Sequence, residues 1–238
     1  NGDAASLRQL GPSVRVIGDP ENPLDPARRA HYELKDAIYY PERFIDLALK
    51  EGQSLVVDLS YSDKVEEPLV AFQRLAGTHF KRSGRLRQPC MVIVDEAQRL
   101  APQMKADDAQ KDCKKVLAAI TADGRKRGIA LIAATQRATY LDKSVIYGAN
   151  VRLFGKLTWE PDFKALRTYL PPGFNHPIHG FNKLRNFKSG EFVLVSPKTW
   201  GVVRVNKKQT SDLGTTPAFR SRKNQTKSIQ LNLFGGTL

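Results

Sequence analysis

The sequence predicts an α/β domain whose mostly parallel sheet is covered by helices on both faces, and three observations lead to this fold class. Apolar runs of strand length recur along the chain, segments with helical periodicity separate them, and polar residues follow several runs directly. In such a sheet, ligands bind beyond the carboxyl ends of the strands. The pattern therefore predicts that the functional site lies at the carboxyl ends of the strands.

The first part of the chain alternates strand and helix. The run SVRVI at 13–17 predicts a strand, because turn-forming Gly and Pro residues follow it. The segment 41–52 predicts a helix, because its apolar residues share one face and Gly52 stands near its end. The apolar run SLVVDL at 54–59 then predicts a second buried strand, and the periodic segment 66–82 predicts the next helix.

The middle of the chain continues this alternation. The runs MVIVD at 91–95 and IALIAAT at 129–135 predict the third and fourth strands. Between them, the segment 108–128 places its apolar residues on one side of a helix. The stretch SVIYGA at 144–149 predicts a short helix.

The last part of the chain predicts a fifth strand, a helix and a hairpin. The run VRLFGKL at 151–157 has strand length, and the segment 159–170 is helical in pattern. Two alternating runs within 191–205 surround a Pro-Lys-Thr-Trp-Gly turn, which predicts a hairpin at the edge of the sheet. We divide the chain into a folded core at 1–217 and an extended basic arm at 218–238.

The charge of the chain favours a polyanionic partner. Thirty-eight Lys and Arg residues against 24 Asp and Glu residues give a formal net charge of +14. Basic residues dominate the sequence from Arg204 to the end, which fits either a DNA contact or a solvated tail.

Cysteine usage and hydropathy exclude several classes of protein. Cys90 and Cys113 fit neither a CxxC metal site nor a disulfide framework. No apolar run reaches the roughly 18 residues of a membrane-spanning helix. The expectation is a cytoplasmic protein without a membrane partner.

Two adjacent acids, Asp95 and Glu96, follow the third predicted strand. Mg²⁺ takes oxygen ligands and retains several waters, so Asp95 could hold the ion and Glu96 could orient or deprotonate an attacking water. The alternative is a helix N-terminus whose dipole an acid complements.

The tip of the fourth predicted strand carries Thr135 and Gln136. If the two strands are neighbours, the Gln136 amide could bridge the attacking water and a γ-phosphate, since an amide both donates and accepts. We assign Thr135, with Asp95, to nucleotide binding. The alternative for Gln136 is a loop residue that satisfies backbone groups.

Cations in the stretch DGRKRG precede the fourth strand. Arg125 and Arg127 could simply offset the dipole of a helix C-terminus. In a ring of subunits, either could instead reach a neighbour's phosphate as an arginine finger.

Three segments together resemble a known family. They are VIVDEAQRLAP, GRKRGIALIAATQRATYLDKSVIYGANVRLFGKL and GEFVLVSPKTWGVVRV, in this order. The combination resembles the ATPase domain of the HerA and FtsK superfamily, hexameric motors that drive DNA through a ring, and is closest to the HerA side. The resemblance covers about residues 13–217. It implies a RecA-like fold of the P-loop NTPase, ASCE type, with ATP, Mg²⁺ and double-stranded DNA as ligands.

The resemblance also implies a role for each site residue. Asp95 and Glu96 would form the Walker B pair, with Asp95 serving Mg²⁺, and Gln136 would be the sensor. Arg125 would be the finger that acts in trans, with Arg127 as the competing candidate. Gln98 stands where many HerA-like proteins have His.

The phosphate-binding loop of the family is missing from the 238 residues. Such a loop, GxxxxGK[ST], surrounds phosphates with backbone N–H groups and a Lys, and the sequence contains none. In the family it precedes the strand that corresponds to 13–17. We expect it upstream in a longer protein, because the other site residues are retained, and we expect this chain alone to bind ATP poorly. The alternative is a member that has lost nucleotide binding.

Two groups of cations are candidates for DNA contact. The loop after the acids offers Lys105, Lys111, Lys114 and Lys115. An equal candidate is the cluster of Lys81, Arg82, Arg85 and Arg87. Such residues would bind phosphates without reading sequence. Acids are interleaved with the lysines, so a solvated helical face is the better explanation for any single Lys.

These observations predict a subunit of an ATP-hydrolysing ring motor that translocates double-stranded DNA, in a hexamer that could also bind a nuclease. One alternative is a catalytically silent ring or scaffold subunit that binds DNA or a partner nuclease. Another is a monomeric DEAD-box helicase, against which the Thr-Gln pair at the following strand tip argues.

Overall fold

The computed structural model describes residues 13–18, 30–58, 66–86, 89–104 and 106–206. Within these ranges the strands are β1 (Val14–Gly18), β2 (Tyr32–Glu33), β3 (Ser54–Val57), β4 (Cys90–Val94), β5 (Ile129–Ala133), β6 (Arg152–Phe154), β7 (Glu191–Val195) and β8 (Trp200–Arg204). The α-helices are α1 (Leu34–Tyr39), α2 (Pro41–Leu49), α3 (Glu66–Leu86), α4 (Asp108–Asp123), α5 (Lys143–Gly148), α6 (Glu160–Leu166) and α7 (His179–Arg185). The predicted arm at 218–238, with Lys105 and Arg87, lies outside the described residues.

The described strands pair in three small sheets. β1 lies between β2 and β3 and is parallel to both. β4 and β5 form a parallel pair, while β6, β7 and β8 form an antiparallel sheet. The predicted parallel strands and C-terminal hairpin are confirmed. The sequence predicted one sheet, whereas the described strands pair in three separate sheets.

The two faces of the β4–β5 pair differ in exposure. On one face Val92, Val94 and Leu131 pack against residues of α3 and α4, including Leu69 and Leu117. On the other face, side chains that alternate with these are exposed: Met91 by 57%, Ile93 by 68% and Ile132 by 47%. The described residues thus cover one face of this pair, and helices on both faces stay a prediction.

The long helix α3 connects the cores of the two parallel sheets. Its Leu69 belongs to the core beneath β4 and β5, and its Leu75 packs with Ile17 and Phe44 beneath β1. Helices α6 and α7 pack instead with the antiparallel sheet around a separate core that includes Phe163. The packing on α3 and α4 therefore fixes β4 and β5, whose ends carry the predicted site.

Several side chains singled out by their chemistry have structural roles. The buried Cys113 thiol lies 3.1 Å from the Leu69 carbonyl oxygen, and burial raises its pKa to about 12. The His176 Nδ1 atom accepts backbone N–H groups of Ile178 and His179. No group of three or more potential metal ligands occurs among the residues that the structure describes. None of the described helices has the length and hydrophobicity needed to span a membrane.

His79 on α3 is a buried titratable group. Its side chain is 4% exposed, and its Nε2 atom has no hydrogen-bond partner within the described part of the chain. Burial lowers the pKa of the imidazole from its usual value of 6.5, because the charged form loses its hydration. The unfolded chain therefore takes up this proton at a higher pH than the folded protein does.

We expect the free energy of unfolding to decrease as the pH falls from about 6.5 to the lowered pKa of the folded state. In His79→Leu this part of the pH dependence is absent, because no imidazole remains to be protonated. Urea unfolding of both proteins at a series of pH values from about 7.5 to about 5 measures the difference. Identical pH dependence in the two proteins would contradict the burial of a neutral imidazole.

Candidate active site

The ends of β4 and β5 are joined by backbone hydrogen bonds. The Ala134 N–H donates to the Val94 carbonyl oxygen at 2.8 Å, and the Ala97 N–H donates to the Ala134 carbonyl oxygen at 2.9 Å. Ala97 is completely buried and begins a 3₁₀ turn, Ala97–Arg99. These bonds leave only two residues, Asp95 and Glu96, to connect the strand with the turn.

Glu96 adopts a left-handed backbone conformation in this tight connection. Its φ is 49° and its ψ is 47°, and no other non-glycine residue in the described part of the chain has a positive φ. This conformation costs a residue with a Cβ atom roughly 1–2 kcal/mol. The bonds on both sides of Glu96 hold it there. Such strain is typical of functional positions.

Replacing Glu96 tests this strain directly. Both Glu96→Gly and Glu96→Ala lose the carboxylate, but only Ala keeps a Cβ atom. We expect Glu96→Gly to be more stable than Glu96→Ala by about 1 kcal/mol, because glycine enters the left-handed region without a steric cost. Urea unfolding measures this difference. At a residue with a negative φ, an alanine variant is normally more stable than a glycine variant. A Glu96→Ala protein at least as stable as Glu96→Gly would therefore refute the left-handed conformation of Glu96.

Two side-chain amides bind the Glu96 carboxylate. The Gln136 Nε2 atom donates to Glu96 Oε1 at 2.6 Å, and the Gln98 Nε2 atom donates to Glu96 Oε2 at 2.6 Å. Gln98 is itself bound, because the Thr135 hydroxyl donates to Gln98 Oε1 at 2.6 Å. The structure thus brings Glu96, Thr135 and Gln136 together, with Gln98 between Glu96 and Thr135. Each carboxylate oxygen keeps a second lone pair that can accept from a water.

Asp95 is exposed beside this cluster. Its Oδ1 atom accepts the backbone N–H of Glu96 at 2.9 Å, which fixes the side chain at the tip of β4. One exposed carboxylate is a fitting protein ligand for Mg²⁺, which in nucleotide sites binds one or two carboxylates together with phosphates and waters. Asp58 follows β3, which pairs with β1 and belongs to a different sheet from β4 and β5.

The two candidate arginines differ in their contacts. Both lie in a 3₁₀ turn, Gly124–Arg127, directly before β5. The Arg127 guanidinium lies 4.1 Å from the centre of the Phe80 ring and donates to the Phe80 carbonyl oxygen at 3.0 Å. Arg125 is exposed, and its guanidinium has no hydrogen bond or ion pair with any described residue. The structure therefore leaves Arg125 available for a ligand and binds Arg127 to α3.

Arg125 and Gln136 lie at opposite ends of β5. The strand Ile129–Ala133 lies between them, and a strand rises about 3.3 Å per residue, so the strand alone accounts for about 13 Å. Within one chain, Arg125 thus lies near the amino end of β5, and Glu96 lies at the carboxyl end of the neighbouring parallel strand β4. Arg125 could therefore meet phosphates bound near Glu96 of a neighbouring subunit, but not those bound in its own chain.

In the first group of cations predicted to contact DNA, three lysines are described, and each has an acidic partner. Lys111 lies 2.8 Å from Asp108, and Lys115 lies 2.9 Å from Asp112, both as exposed pairs on α4. Lys114 pairs with Asp142, the residue that caps α5. In the second group, Arg82 pairs with Glu42 and Asp46 of α2. The exposed pairs on α4 are weak, so Lys111 and Lys115 can exchange their carboxylate partners for other anions.

Comparisons with known proteins show a remote likeness in fold. No protein-family model matches the chain, and no curated protein matches its sequence. The structure is similar to that of the DNA-packaging ATPase B204 from Sulfolobus turreted icosahedral virus, at 17% identity and a TM-score of 0.48, covering 85% of this chain and 88% of that chain. The B204 packaging NTPase of Sulfolobus turreted icosahedral virus 2 with sulfate gives 17% identity and a TM-score of 0.47, covering 85% and 86%.

Gln98 is the site residue whose contact the sequence did not predict. The signal available in the sequence is its position two residues after Glu96. A short turn that follows a strand brings the Gln98 side chain back towards the tip of that strand. Thr135 was expected to bind nucleotide, but its hydroxyl is used by Gln98 and by the backbone N–H of Arg137 at 3.0 Å. Its contact with a nucleotide stays a prediction.

Proposed function

We propose that this chain is the ATP-hydrolysing core of a motor that moves double-stranded DNA. One observation carries the proposal: the Glu96 carboxylate, on a strained backbone at the tip of β4, is bound by the Gln136 amide from the tip of β5. A carboxylate beside an amide that can contact both water and phosphate is an arrangement suited to nucleotide hydrolysis.

Asp95 would hold Mg²⁺, directly or through a water. The ion, when bound, would neutralise charge on the β- and γ-phosphates of ATP. The support for this role is the exposed carboxylate next to Glu96, with one oxygen fixed by a backbone N–H at 2.9 Å. The fixed oxygen orients the carboxylate, and the other remains open to a ligand.

Glu96 would act as the general base. The water oxygen forms a bond to the γ-phosphorus, the bond from that phosphorus to the bridging oxygen breaks, and the electron pair leaves with ADP. The proton of the water passes to a Glu96 carboxylate oxygen. Gln136 would move its N–H from Glu96 Oε1 to the γ-phosphate when ATP is present, so that its amide reports whether the phosphate is bound.

Arg125 would complete the site of a neighbouring subunit. Its exposure and its place at the opposite end of β5 from Gln136 support an interaction between chains. A guanidinium stabilises the charge that develops on the transferred phosphoryl group. An arrangement of this kind requires an oligomer, and we propose a closed ring, a hexamer by resemblance.

Double-stranded DNA is the partner that the resemblance implies, and the charge is compatible with it. A net charge of +14 attracts a polyanion, and contacts with phosphates would be independent of sequence. Lys111 and Lys115 on α4 are exposed candidates, because their present partners are weak surface pairs. Lys114 is a poorer candidate, since its partner Asp142 is buried and caps a helix.

One observation favours a second candidate function. The 238 residues contain no GxxxxGK[ST] segment, and a chain that functions without such a loop would be a silent ring or scaffold subunit. In that case, Asp95 and Glu96 would have no phosphate to act on.

The proposal is tested by ATP turnover of the longest native form of the chain, with and without duplex DNA. We expect turnover that duplex DNA stimulates, and a DNA affinity that falls steeply as salt increases. Turnover without stimulation by DNA would contradict the DNA motor. Ring assembly without any turnover would favour the scaffold subunit.

A further inference from the structure

We propose that Gln98 and Thr135 are positioning residues that fix the carboxylate of Glu96 for catalysis. This inference rests on the proposed function, because it concerns the general base of that reaction. It assigns a role to Gln98 and replaces the expected nucleotide contact of the Thr135 hydroxyl by a contact within the protein. The four side chains form one chain of hydrogen bonds, Thr135 to Gln98 to Glu96 to Gln136.

The direction of these hydrogen bonds is fixed from both ends. The Thr135 hydroxyl oxygen accepts the Arg137 backbone N–H at 3.0 Å, and its own hydrogen is free to donate to Gln98 Oε1 at 2.6 Å. At the other end, an ionised carboxylate can only accept, so the Gln98 atom next to Glu96 must be the donor Nε2. The two requirements agree. The amide of Gln98 therefore has one orientation that satisfies both neighbours.

Gln98 and Gln136 differ in how far they are free to move. Gln98 is half-buried and bound by Thr135, whereas Gln136 is exposed and bound only by Glu96 within the described residues. In the proposed reaction, Gln136 turns to the γ-phosphate. Gln98 is then the remaining donor on Glu96. It keeps the carboxylate in place at the moment when the water must be deprotonated.

An amide is suited to this task because it does not titrate. Its donor and acceptor atoms keep their roles at every pH at which the protein is folded. A neutral imidazole also carries one acceptor and one donor nitrogen, so His at this position could replace the amide. Below a pKa near 6.5 the imidazole gains a second proton and loses the acceptor that Thr135 requires.

The first test compares turnover of wild-type protein with Gln98→Leu and Thr135→Val, each in the longest native form of the chain. Leu and Val keep most of the side-chain volume and remove the hydrogen bonds. We expect kcat to fall about 10- to 100-fold in both, because a misplaced catalytic group costs about this much. The KM for ATP and the Kd of ATP are expected to change little, since neither residue contacts the nucleotide.

Two conservative variants separate positioning from folding. Thr135→Ser keeps the hydroxyl and is expected to restore kcat relative to Thr135→Val. Gln98→His is expected to hydrolyse ATP near the wild-type rate at about pH 8, and to lose activity relative to wild type below about pH 6.5. A merely structural role for Gln98 would not create a new pH dependence of kcat.

The outcomes distinguish this inference from the proposed function. Turnover that Glu96→Gln abolishes, but that Gln98→Leu and Thr135→Val leave unchanged, would overturn the positioning role and leave the proposed function intact. A fall in kcat that Thr135→Ser does not restore would also overturn it. If the wild-type protein does not hydrolyse ATP, or if Glu96→Gln has no effect, the proposed function fails, and this inference fails with it.

Discussion

Replacing Glu96 by Gln is expected to lower the ATP turnover of the full-length protein by about 10²- to 10⁴-fold, the range that a general base contributes. Gln has nearly the same shape as Glu but cannot accept the proton of the attacking water. It also faces two amide donors, Gln98 and Gln136, and can accept from both only through its single carbonyl oxygen. Steady-state turnover gives the rate, and a separate binding assay shows whether ATP still binds.

The matched control for this variant is Glu160→Gln. Glu160 lies in the first turn of α6 and forms an exposed pair with Lys164 at 3.0 Å. The same chemical change there is expected to leave turnover within about twofold of wild type, because an exposed pair contributes little to stability. A Glu96→Gln protein that hydrolyses ATP as fast as this control would exclude Glu96 as the base.

Replacing Arg125 by Ala is expected to lower turnover by about 10³- to 10⁵-fold, the effect of an arginine finger. The expectation depends on the exposed position of Arg125 in the turn before β5, where its guanidinium has no hydrogen bond or ion pair with a described residue. Binding of ATP is expected to persist, since the guanidinium acts mainly on charge that develops in the transition state. Turnover, ATP affinity and ring assembly of the variant are measured together.

Its neighbours in the same turn provide the controls. Lys126→Ala removes an exposed cation that pairs with Asp123 at 3.3 Å, and we expect turnover to stay near the wild-type value. Arg127→Ala removes the stacking on Phe80 and the bond to its carbonyl oxygen, so we expect a loss of stability of about 1–2 kcal/mol. Equal loss of turnover in Lys126→Ala and Arg125→Ala would indicate an effect of charge alone and contradict the finger.

The elements predicted with the correct type are those with strong local signals. The runs that became β1, β3, β4 and β5 are apolar on both faces, and the parallel pairing of β4 with β5 is confirmed. The sequence did not predict β2, α1 or α7. These elements are short, at 2, 6 and 7 residues, and depend on tertiary packing, as the complete burial of Leu184 in α7 shows.

The arrangement of the sheets was the largest error. The run around Arg152–Phe154 has the composition of a buried parallel strand, and the structure instead pairs it antiparallel with Val193–Val195 of the hairpin. Apolar composition predicts burial of a strand but not its partner. The partner depends on which distant segment offers a free edge, and a local pattern does not contain that information.

In the candidate site, too, one part of the arrangement was predictable from the sequence and another part was not. The nearness of Gln136 to the acids follows from two neighbouring parallel strands that end at one edge, so it was predictable. The left-handed backbone of Glu96 and the bond from Gln98 were not. Both follow from the backbone bonds of Ala97 and Ala134, which no residue type specifies.

The central claim is that Glu96 deprotonates the water that hydrolyses ATP, and a single-turnover experiment tests it most directly. Radiolabelled ATP is bound to an excess of the full-length protein with Mg²⁺ and duplex DNA, and its conversion to ADP is followed in wild type and Glu96→Gln. We expect wild type to convert the bound ATP and Glu96→Gln to retain it unhydrolysed. Conversion at equal rates in the two proteins, or bound ATP that wild type leaves intact, would contradict the claim.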